Sequence, residues 1–171
     1  MSWIASDTGP LLHLAEAGLL EVLSQVGPVM VPPAVVFELE RFDLARALTS
    51  AGLIQTRELH EPYPSRASSW LTGGLLDRGE AEALALAQQE AARWFLTDDT
   101  AARLLAKELG VETHGSLGIL LWATAEGRLK RAEAEAGLER LNQSSLWISK
   151  RVLAEARLAL RDLASERPEA P

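Results

Sequence analysis

The sequence predicts an α/β fold of three layers, in which helices flank a short central parallel sheet. The first observation is that short apolar runs alternate along the chain with longer segments of helical periodicity. Parallel neighbours cannot be joined by tight hairpins, so this alternation implies helical crossovers. The second is that a strand, an acid and a helix follow one another more than once. We expect one domain over residues 1–165 and a disordered tail at 166–171.

The first half of the chain carries three predicted strands. A short apolar run at Trp3–Ser6 ends at Asp7, and a helical pattern follows it until Gly18. A second run, Val29–Val31, ends at two prolines. A helix should begin there, because the N–H that proline lacks is not needed in a first helical turn. Leu53–Thr56 is the third run.

The second half begins with an irregular stretch, 58–78, whose prolines, serines and glycines show no clean period. From Gly79 the run EAEALALAQQEAA is rich in strong helix formers. Trp94–Thr97 has the pattern of a buried strand that ends at two aspartates, and a helix up to Gly110 follows. The remaining elements are predicted as a strand at Val111–Thr113 and helices at Leu117–Ala125, Lys130–Leu141 and Ser149–Ala164.

Composition limits the chemistry that this chain can perform. It has no cysteine, which excludes disulfides, a thiolate zinc site and a cysteine nucleophile. Its three histidines show neither HxxxH nor HExxH spacing, so any metal should be bound by oxygen. The net charge of −7 means that a nucleic-acid substrate would need a local basic patch. Without an export signal or a long apolar run, we expect a soluble, cytoplasmic protein.

Acidic residues recur at one edge of the predicted sheet. Asp7 and Asp98 follow strands, and ligands of parallel sheets collect at the carboxyl ends of strands. Glu38 and Glu80 lie one or two turns into helices that begin near the same edge. Converging carboxylates repel one another, and a divalent cation removes that cost. Oxygen ligands select hard ions such as Mg²⁺ or Mn²⁺, which can activate water for phosphodiester hydrolysis.

Each acid also has a purely structural explanation. Asp7, and either Asp98 or Asp99, would suit the N-cap of the helix that follows. Glu80 and Glu82 would suit a first helical turn, where the helix dipole favours negative charge. Because Glu82 lies two residues from Glu80, it faces a different side of the helix. Glu80 is therefore the preferred site residue, and Glu82 is held in reserve.

The chain has five tryptophans, including Trp147, that could pack in the core or stack on nucleic-acid bases. Trp3, Trp94 and Trp122 lie in apolar runs and are predicted to be core. Trp70 lies in the irregular stretch, which makes it the only reasonable stacking candidate.

Five segments stand out together: SDTGPLLHLA at Ser6–Ala15, VPPAVVFEL at Val31–Leu39, LDRGEAEALALA at Leu76–Ala87, FLTDDTAARLLAKELG at Phe95–Gly110 and HGSLGILLWA at His114–Ala123. In order and spacing they resemble the PIN domain family, and within it the small toxin-like prokaryotic branch of virulence-associated ribonucleases. The resemblance covers nearly the whole chain. It implies a central parallel sheet and a carboxylate-lined ribonuclease site that depends on Mg²⁺ or Mn²⁺.

The resemblance also implies partners. The substrate would be RNA, single-stranded or structured, and many relatives are toxins inhibited by a small antitoxin protein. A homodimer is common in the family, and the apolar positions near Leu117–Trp122 could serve it or belong to the core.

Carried over to this chain, the resemblance implies a set of site residues. Four acids would be catalytic and bind the metal. Asp7 matches the acid that closes the first strand, and Asp98 matches the acid that closes the later strand. Glu38 matches the acid in the helix after the paired prolines, and Glu80 matches the acid in the GE-containing helix. Asp99 looks like an additional metal ligand. Thr8 would orient Asp7 or a water molecule, and Arg103 would bind the carboxylates or a substrate phosphate.

Two other functions stay open. The chain could be a catalytically inactive PIN-like module that binds RNA or another protein. It could also be a metal-dependent phosphatase of a different α/β fold. Against the phosphatase, Asp7-Thr8-Gly9 lacks a following DxD nucleophile pattern, and the chain has no GxxxxGK phosphate loop.

Overall fold

Five parallel strands form a single sheet at the centre of the molecule. The computed structural model describes residues 2–165, so the tail predicted at 166–171 lies outside the described residues. The strand order is β3-β2-β1-β4-β5, and every neighbouring pair is parallel. The strands are β1 (Ile4–Ser6), β2 (Val29–Val31), β3 (Ile54–Thr56), β4 (Trp94–Leu96) and β5 (Thr113–His114).

Ten helices connect and cover these strands within residues 2–165. They are α1 (Thr8–Glu16), α2 (Leu20–Val26), α3 (Pro33–Glu40), α4 (Ala45–Ser50), α5 (Tyr63–Thr72), α6 (Arg78–Gln89), α7 (Thr100–Glu108), α8 (Ser116–Ala125), α9 (Arg131–Gln143) and α10 (Lys150–Ser165). The α/β prediction is confirmed, including its parallel sheet. The sequence did not predict α2, α4 or α5, and α5 lies within the irregular stretch 58–78.

The last strand lies later in the chain than the predicted Val111–Thr113. Gly110 has a φ of +72°, and the N–H of Val111 bonds the carbonyl oxygen of Ala106, so Val111 still closes helix α7. Pairing with β4 begins only where the carbonyl oxygen of Glu112 accepts the N–H of Phe95. The predicted strand began two residues too early, because the apolar Val111 belongs to the C-terminal end of helix α7 and not to the sheet.

Strands β1, β2 and β4 are buried along their whole length, which explains their continuous apolar sequences. Helix α6 packs against both β1 and β4, and it also contacts α3, α5 and α7. A second group of helices, α1, α2, α9 and α10, gathers around α8, which contacts β5. Helix α6 therefore lies directly beside the central strands, and α1 begins where β1 ends.

The tryptophan predictions were largely right. Trp94 is buried, and Trp3 and Trp122 are partly buried against the core. Trp70 is also partly buried and packs against the core. Trp147 is 84% exposed.

Two further observations concern possible dimer contacts and membrane-spanning helices. Within Leu117–Trp122 the side chains of Ile119 and Leu120 are fully buried, so much of this apolar segment belongs to the core. Among residues 2–165, no helix combines the length and the hydropathy needed to cross a membrane.

Candidate active site

Two acids leave neighbouring strands at the middle of the sheet. Ser6 of β1 pairs with Leu96 of β4, and the N–H of Asp7 donates to the carbonyl oxygen of Leu96 over 3.0 Å. Asp7 follows β1 directly, and Asp98 lies two residues beyond Leu96. Backbone pairing therefore brings both acids to the carboxyl edge of the two central strands, as the sequence predicted.

Asp7 is a buried carboxylate at the start of α1. It is only 4% exposed, and its Oδ1 caps the helix by accepting the N–H of Gly9 over 3.1 Å. Its Oδ2 accepts the hydroxyl of Thr97 over 2.6 Å. Burial raises the pKa of Asp7 well above its ordinary value, and the charges of Asp98 and Glu80 raise it further, against the lowering effect of the Thr97 hydrogen bond. Asp7 is thus both an N-cap and an acid whose ionised form is disfavoured by its surroundings.

Asp98 has a different environment. Its Oδ1 accepts the backbone N–H of Ser116 over 2.7 Å, and its Oδ2 lies 2.6 Å from both the hydroxyl of Ser116 and Nδ1 of His13. Burial alone would raise the pKa of Asp98, but the hydrogen bonds from His13 and Ser116 outweigh it and leave the pKa below its ordinary value. Asp98 is therefore an ionised, firmly oriented carboxylate.

Glu38 approaches the same edge from helix α3. Its Oε2 accepts the hydroxyl of Thr8, so Thr8 orients Glu38, whereas the sequence led us to expect it to orient Asp7 or a water molecule. A Cβ atom at position 79 would lie 2.5 Å from each carboxylate oxygen of Glu38. The glycine of the GE pair thus provides the space in which the Glu38 carboxylate lies against helix α6.

Glu80 belongs to a capping box at the start of α6. Its Oε2 accepts the N–H of Asp77 over 3.0 Å, and Oδ1 of Asp77 accepts the N–H of Glu80 over 3.0 Å. Burial, together with the charges of Asp77, Asp99 and Glu38, raises the pKa of Glu80 to about 7, although the Asp77 N–H bond opposes the shift.

Glu82 points elsewhere, as its spacing predicted. Its Oε1 accepts the Nε–H of Arg78 over 2.9 Å, and it lines a different pocket from Glu80. The preference for Glu80 over Glu82 as a site residue is therefore consistent with the geometry.

Asp99 and Arg103 have structural partners. Oδ1 of Asp99 caps helix α7 by accepting the N–H of Ala102 over 2.8 Å. Nε of Arg103 donates to the carbonyl oxygen of Thr97 over 3.1 Å. Among the described residues, Arg103 forms no ion pair with a carboxylate, and its guanidinium and Oδ1 of Asp98 both lie beside Gly115. Its expected role toward a substrate phosphate stays a prediction.

One pocket of about 420 Å³ collects the predicted acids. All five predicted metal ligands and Thr8 line it, whereas Arg103 does not. Its lining residues are Asp7, Thr8, Gly9, His13, Glu38, Asp77, Glu80, Asp98, Asp99, Ser145, Leu146 and Trp147.

Comparison with known families supports the resemblance. The family described as PIN domain matches residues 3–161, which is nearly the whole chain. The chain belongs to the PIN domain family. PIN domains are generally nucleases and typically use divalent metal ions, so this PIN domain has the fold of a nuclease. No curated protein matches the chain.

The pocket of this PIN domain has suitable chemistry for a hard divalent cation. Its acidic donors are carboxylate oxygens. Burial, and to a lesser degree the charges of neighbouring acids, raises the pKa values of Asp7 and Glu80, and a bound cation would stabilise the ionised carboxylates against both effects. As placed, however, no three of the histidine, aspartate and glutamate side chains in residues 2–165 are close enough together to hold an ion. The donor types fit such a cation, and the Glu80 side chain has the rotatable bonds to bring its carboxylate closer to the other acids.

Several residues that line the pocket or contact its acids were not found from the sequence. Thr97 had a signal, a hydroxyl directly before the paired aspartates. His13 and Ser116 contact Asp98 from positions 85 and 18 residues away, and no local pattern marks them. Trp147 lies in the apolar run Leu146-Trp147-Ile148, which resembles core sequence, yet only its two neighbours pack inward.

Proposed function

We propose that this PIN domain is a divalent-metal-dependent endoribonuclease that hydrolyses phosphodiester bonds of RNA. The observation that carries the proposal is the gathering of six acids from four parts of the chain around one pocket. Two of them, Asp7 and Glu80, have pKa values raised by burial and by their neighbours' charges. Carboxylates that gather in a pocket despite burial and mutual repulsion are typical of a functional site and not of an ordinary protein surface.

We assign Asp7, Glu38, Glu80 and Asp98 as the residues that would hold Mg²⁺ or Mn²⁺, with Asp99 as an additional ligand. Asp98 supports this role because His13 and Ser116 fix its orientation. When bound, the ion would make water a better nucleophile and offset the charge that develops on the phosphate. Asp99 uses Oδ1 for its helix cap, and its other oxygen is the one we assign to the ion.

The protein side chains supply orientation and proton handling. Thr97 and the N–H of Gly9 hold Asp7, and Thr8 holds Glu38, so both carboxylates present fixed oxygens to the pocket. In the metal-free protein Glu80, with a pKa of about 7, can hold a proton near neutral pH, and a bound ion would displace that proton. Its Oε2 bonds the Asp77 N–H, which leaves Oε1 for that proton.

Positive charge for the substrate comes from an adjoining pocket. That pocket shares Thr8, Glu38 and Asp77 with the acidic one and is lined by Arg41 and Arg78. In a chain with a net charge of −7, these are the two basic side chains that line the pocket beside the acids. Arg78 is paired with Glu82, so we assign Arg41 to a substrate phosphate.

The test compares cleavage of single-stranded RNA in Mn²⁺ by the wild type and by D7N, E80Q, D98N and E82Q. We expect D7N, E80Q and D98N to lose at least about 100-fold in kcat/KM. E82Q is the matched control on the same helix and should cleave like the wild type. If D7N and D98N cleave as well as the wild type, the chain's nuclease activity does not come from this pocket. If none of the proteins cleaves, the alternative of an inactive RNA-binding or protein-interaction module is correct.

A toxin role is a separate proposal that follows from the resemblance to the toxin-like branch. In it the domain acts on cytoplasmic RNA, forms a homodimer and is inhibited by a small antitoxin protein. Expression of the wild type should then arrest growth of a bacterial host, and expression of D7N should not. Equal growth of both strains, at equal protein levels, would contradict it.

A further inference from the structure

Trp147 stands at the wall of the acidic pocket with most of its ring in solvent. All five tryptophans lie in the described part of the chain, and of these Trp147 alone is exposed, at 84%. It lines the pocket together with Asp7, Glu38 and Asp98. None of the roles assigned above uses it.

The backbone that carries Trp147 is anchored. Ser145 donates its N–H to Oε2 of Glu16 over 2.9 Å and its hydroxyl to Oε1 of the same side chain, which fixes the segment to helix α1. On either side of Trp147, Leu146 and Ile148 pack against the core. The indole is therefore displayed by fixed neighbours, so a ligand that binds it need not order a loose segment.

The pocket lacks the usual source of affinity for a polynucleotide. Its acids repel phosphates, and the whole chain is negative. A flat aromatic ring offers another source of affinity, because stacking on a nucleobase needs no positive charge and works with any base. Bases in a duplex are already stacked on one another, so only an unpaired base can use such a ring.

We propose that Trp147 stacks on an unpaired base next to the scissile phosphate and so gives the enzyme a preference for single-stranded RNA. This inference rests on the proposed ribonuclease function. Trp147 is a positioning residue, which holds the neighbouring nucleotide while the acids act on the phosphodiester.

The first test measures kcat/KM on a single-stranded RNA oligonucleotide in Mn²⁺ for the wild type, W147A, W147F and L158A. We expect W147A to lose about 10- to 100-fold and W147F to lose less, because phenylalanine keeps a ring. Leu158 is a matched control, since it is 57% exposed on α10 and lies outside the pocket. L158A should cleave like the wild type, and all four proteins should unfold at the same temperature.

The second test asks whether the ring recognises a base. A single abasic nucleotide is placed at each position of the oligonucleotide in turn. The wild type should lose activity when the abasic nucleotide is next to the cleaved bond, and W147A should be indifferent to it. On a fully paired RNA duplex, the wild type and W147A should cleave equally slowly.

The outcomes separate the two proposals. If the wild type cleaves RNA and W147A cleaves every substrate as fast as the wild type does, stacking is wrong and the ribonuclease function stands. If W147A has a lower kcat/KM than the wild type by the same factor on the intact and the abasic substrates, stacking is also wrong. The side chain then acts on something other than the base. A wild type without any cleavage overturns the function and the stacking role together.

Discussion

The hydroxyl of Thr97 donates a 2.6 Å hydrogen bond to Oδ2 of Asp7, joining the ends of the two central strands, β4 and β1. Both residues are buried, and Thr97 also accepts the N–H of Asp99 over 3.1 Å. One hydroxyl therefore links two acids of the pocket.

The substitution T97V removes this donor and keeps the shape of the side chain. We expect the free energy of unfolding to fall by about 1 to 2 kcal/mol, because the buried Asp7 loses a partner. Cleavage should fall by about 10- to 100-fold, the usual effect of removing a residue that orients a ligand. T97S keeps the hydroxyl and should retain most of the activity. Equal activity of T97V and the wild type would show that this bond does not orient Asp7.

The substitution D7N should stabilise the metal-free protein while abolishing cleavage. Burial raises the pKa of Asp7 above the value of the unfolded chain, so ionising Asp7 destabilises the fold at neutral pH. We expect a gain of about 1 kcal/mol in urea unfolding at pH 7 in EDTA. Below the unfolded pKa of about 4, where both states are protonated, the gain should vanish. A less stable D7N at pH 7 would contradict the assignment.

Glu80 should make the stability of the metal-free protein depend on pH. Its folded pKa of about 7 lies above the ordinary value of 4.5, so the folded state binds the extra proton between these limits. Stability should therefore fall as the pH rises from about 4.5 to 7. E80Q should make this dependence shallower when urea midpoints are measured in EDTA across the range, and Asp7 contributes to the slope that remains.

E82Q is the control for this experiment, because Glu82 lies on the same helix but pairs with Arg78. It should keep the pH dependence of the wild type. An E80Q profile as steep as that of the wild type would show that other groups cause the slope.

The substitution G79A should separate activity from stability. The added Cβ would lie 2.5 Å from both carboxylate oxygens of Glu38, so that carboxylate must move out of its position. Alanine favours a helix by about 1 kcal/mol over glycine, and only the end of a flexible side chain is displaced. We expect unchanged or higher thermal stability and a loss of cleavage of about tenfold or more.

Gly118→Ala is the matched control, since Gly118 is also helical and its added Cβ would meet only ordinary contacts with His114 at 3.8 Å. It should leave activity unchanged. Full activity of G79A would mean that the position of Glu38 does not matter for cleavage.

The guanidinium of Arg41 should contribute to the salt dependence of RNA binding. Each phosphate contact on a single strand adds about 0.7 to the slope of log affinity against log salt. R41A should lower that slope by about this amount in fluorescence anisotropy with EDTA present. R46A is the control, because Arg46 is exposed on α4 and lines neither pocket. Equal slopes for R41A and the wild type would remove Arg41 from the phosphate path.

The parts of the site that follow from local sequence were predictable. An acid after a short apolar strand is visible in the sequence, and parallel pairing then brings Asp7 and Asp98 to one edge. The helical spacing of Glu80 and Glu82 also predicted that they face different sides of the helix, and they line different pockets. The capping explanation was correct too, since Asp7 and Asp99 cap helices while lining the pocket.

The remaining contacts depend on tertiary packing, which leaves no local mark. Thr8 could have reached either Asp7 or Glu38, and only the packing of α1 against α3 decides between them. Trp147 was overlooked because an apolar triplet looks the same whether its middle residue faces inward or outward. Helices α2 and α4, of seven and six residues, are too short for a helical period to emerge.

The pairing of Ser6 with Leu96 has a consequence for how such a protein can change over time. The distance between the Asp7 and Asp98 backbones is set by main-chain hydrogen bonds between two strands, which any pair of strand-forming residues can make. Extensive replacement of side chains in the surrounding helices need not alter it. The two aspartates can therefore persist as a fixed pair through sequence drift, while exposed positions such as Trp147 are free to adapt the protein to new targets.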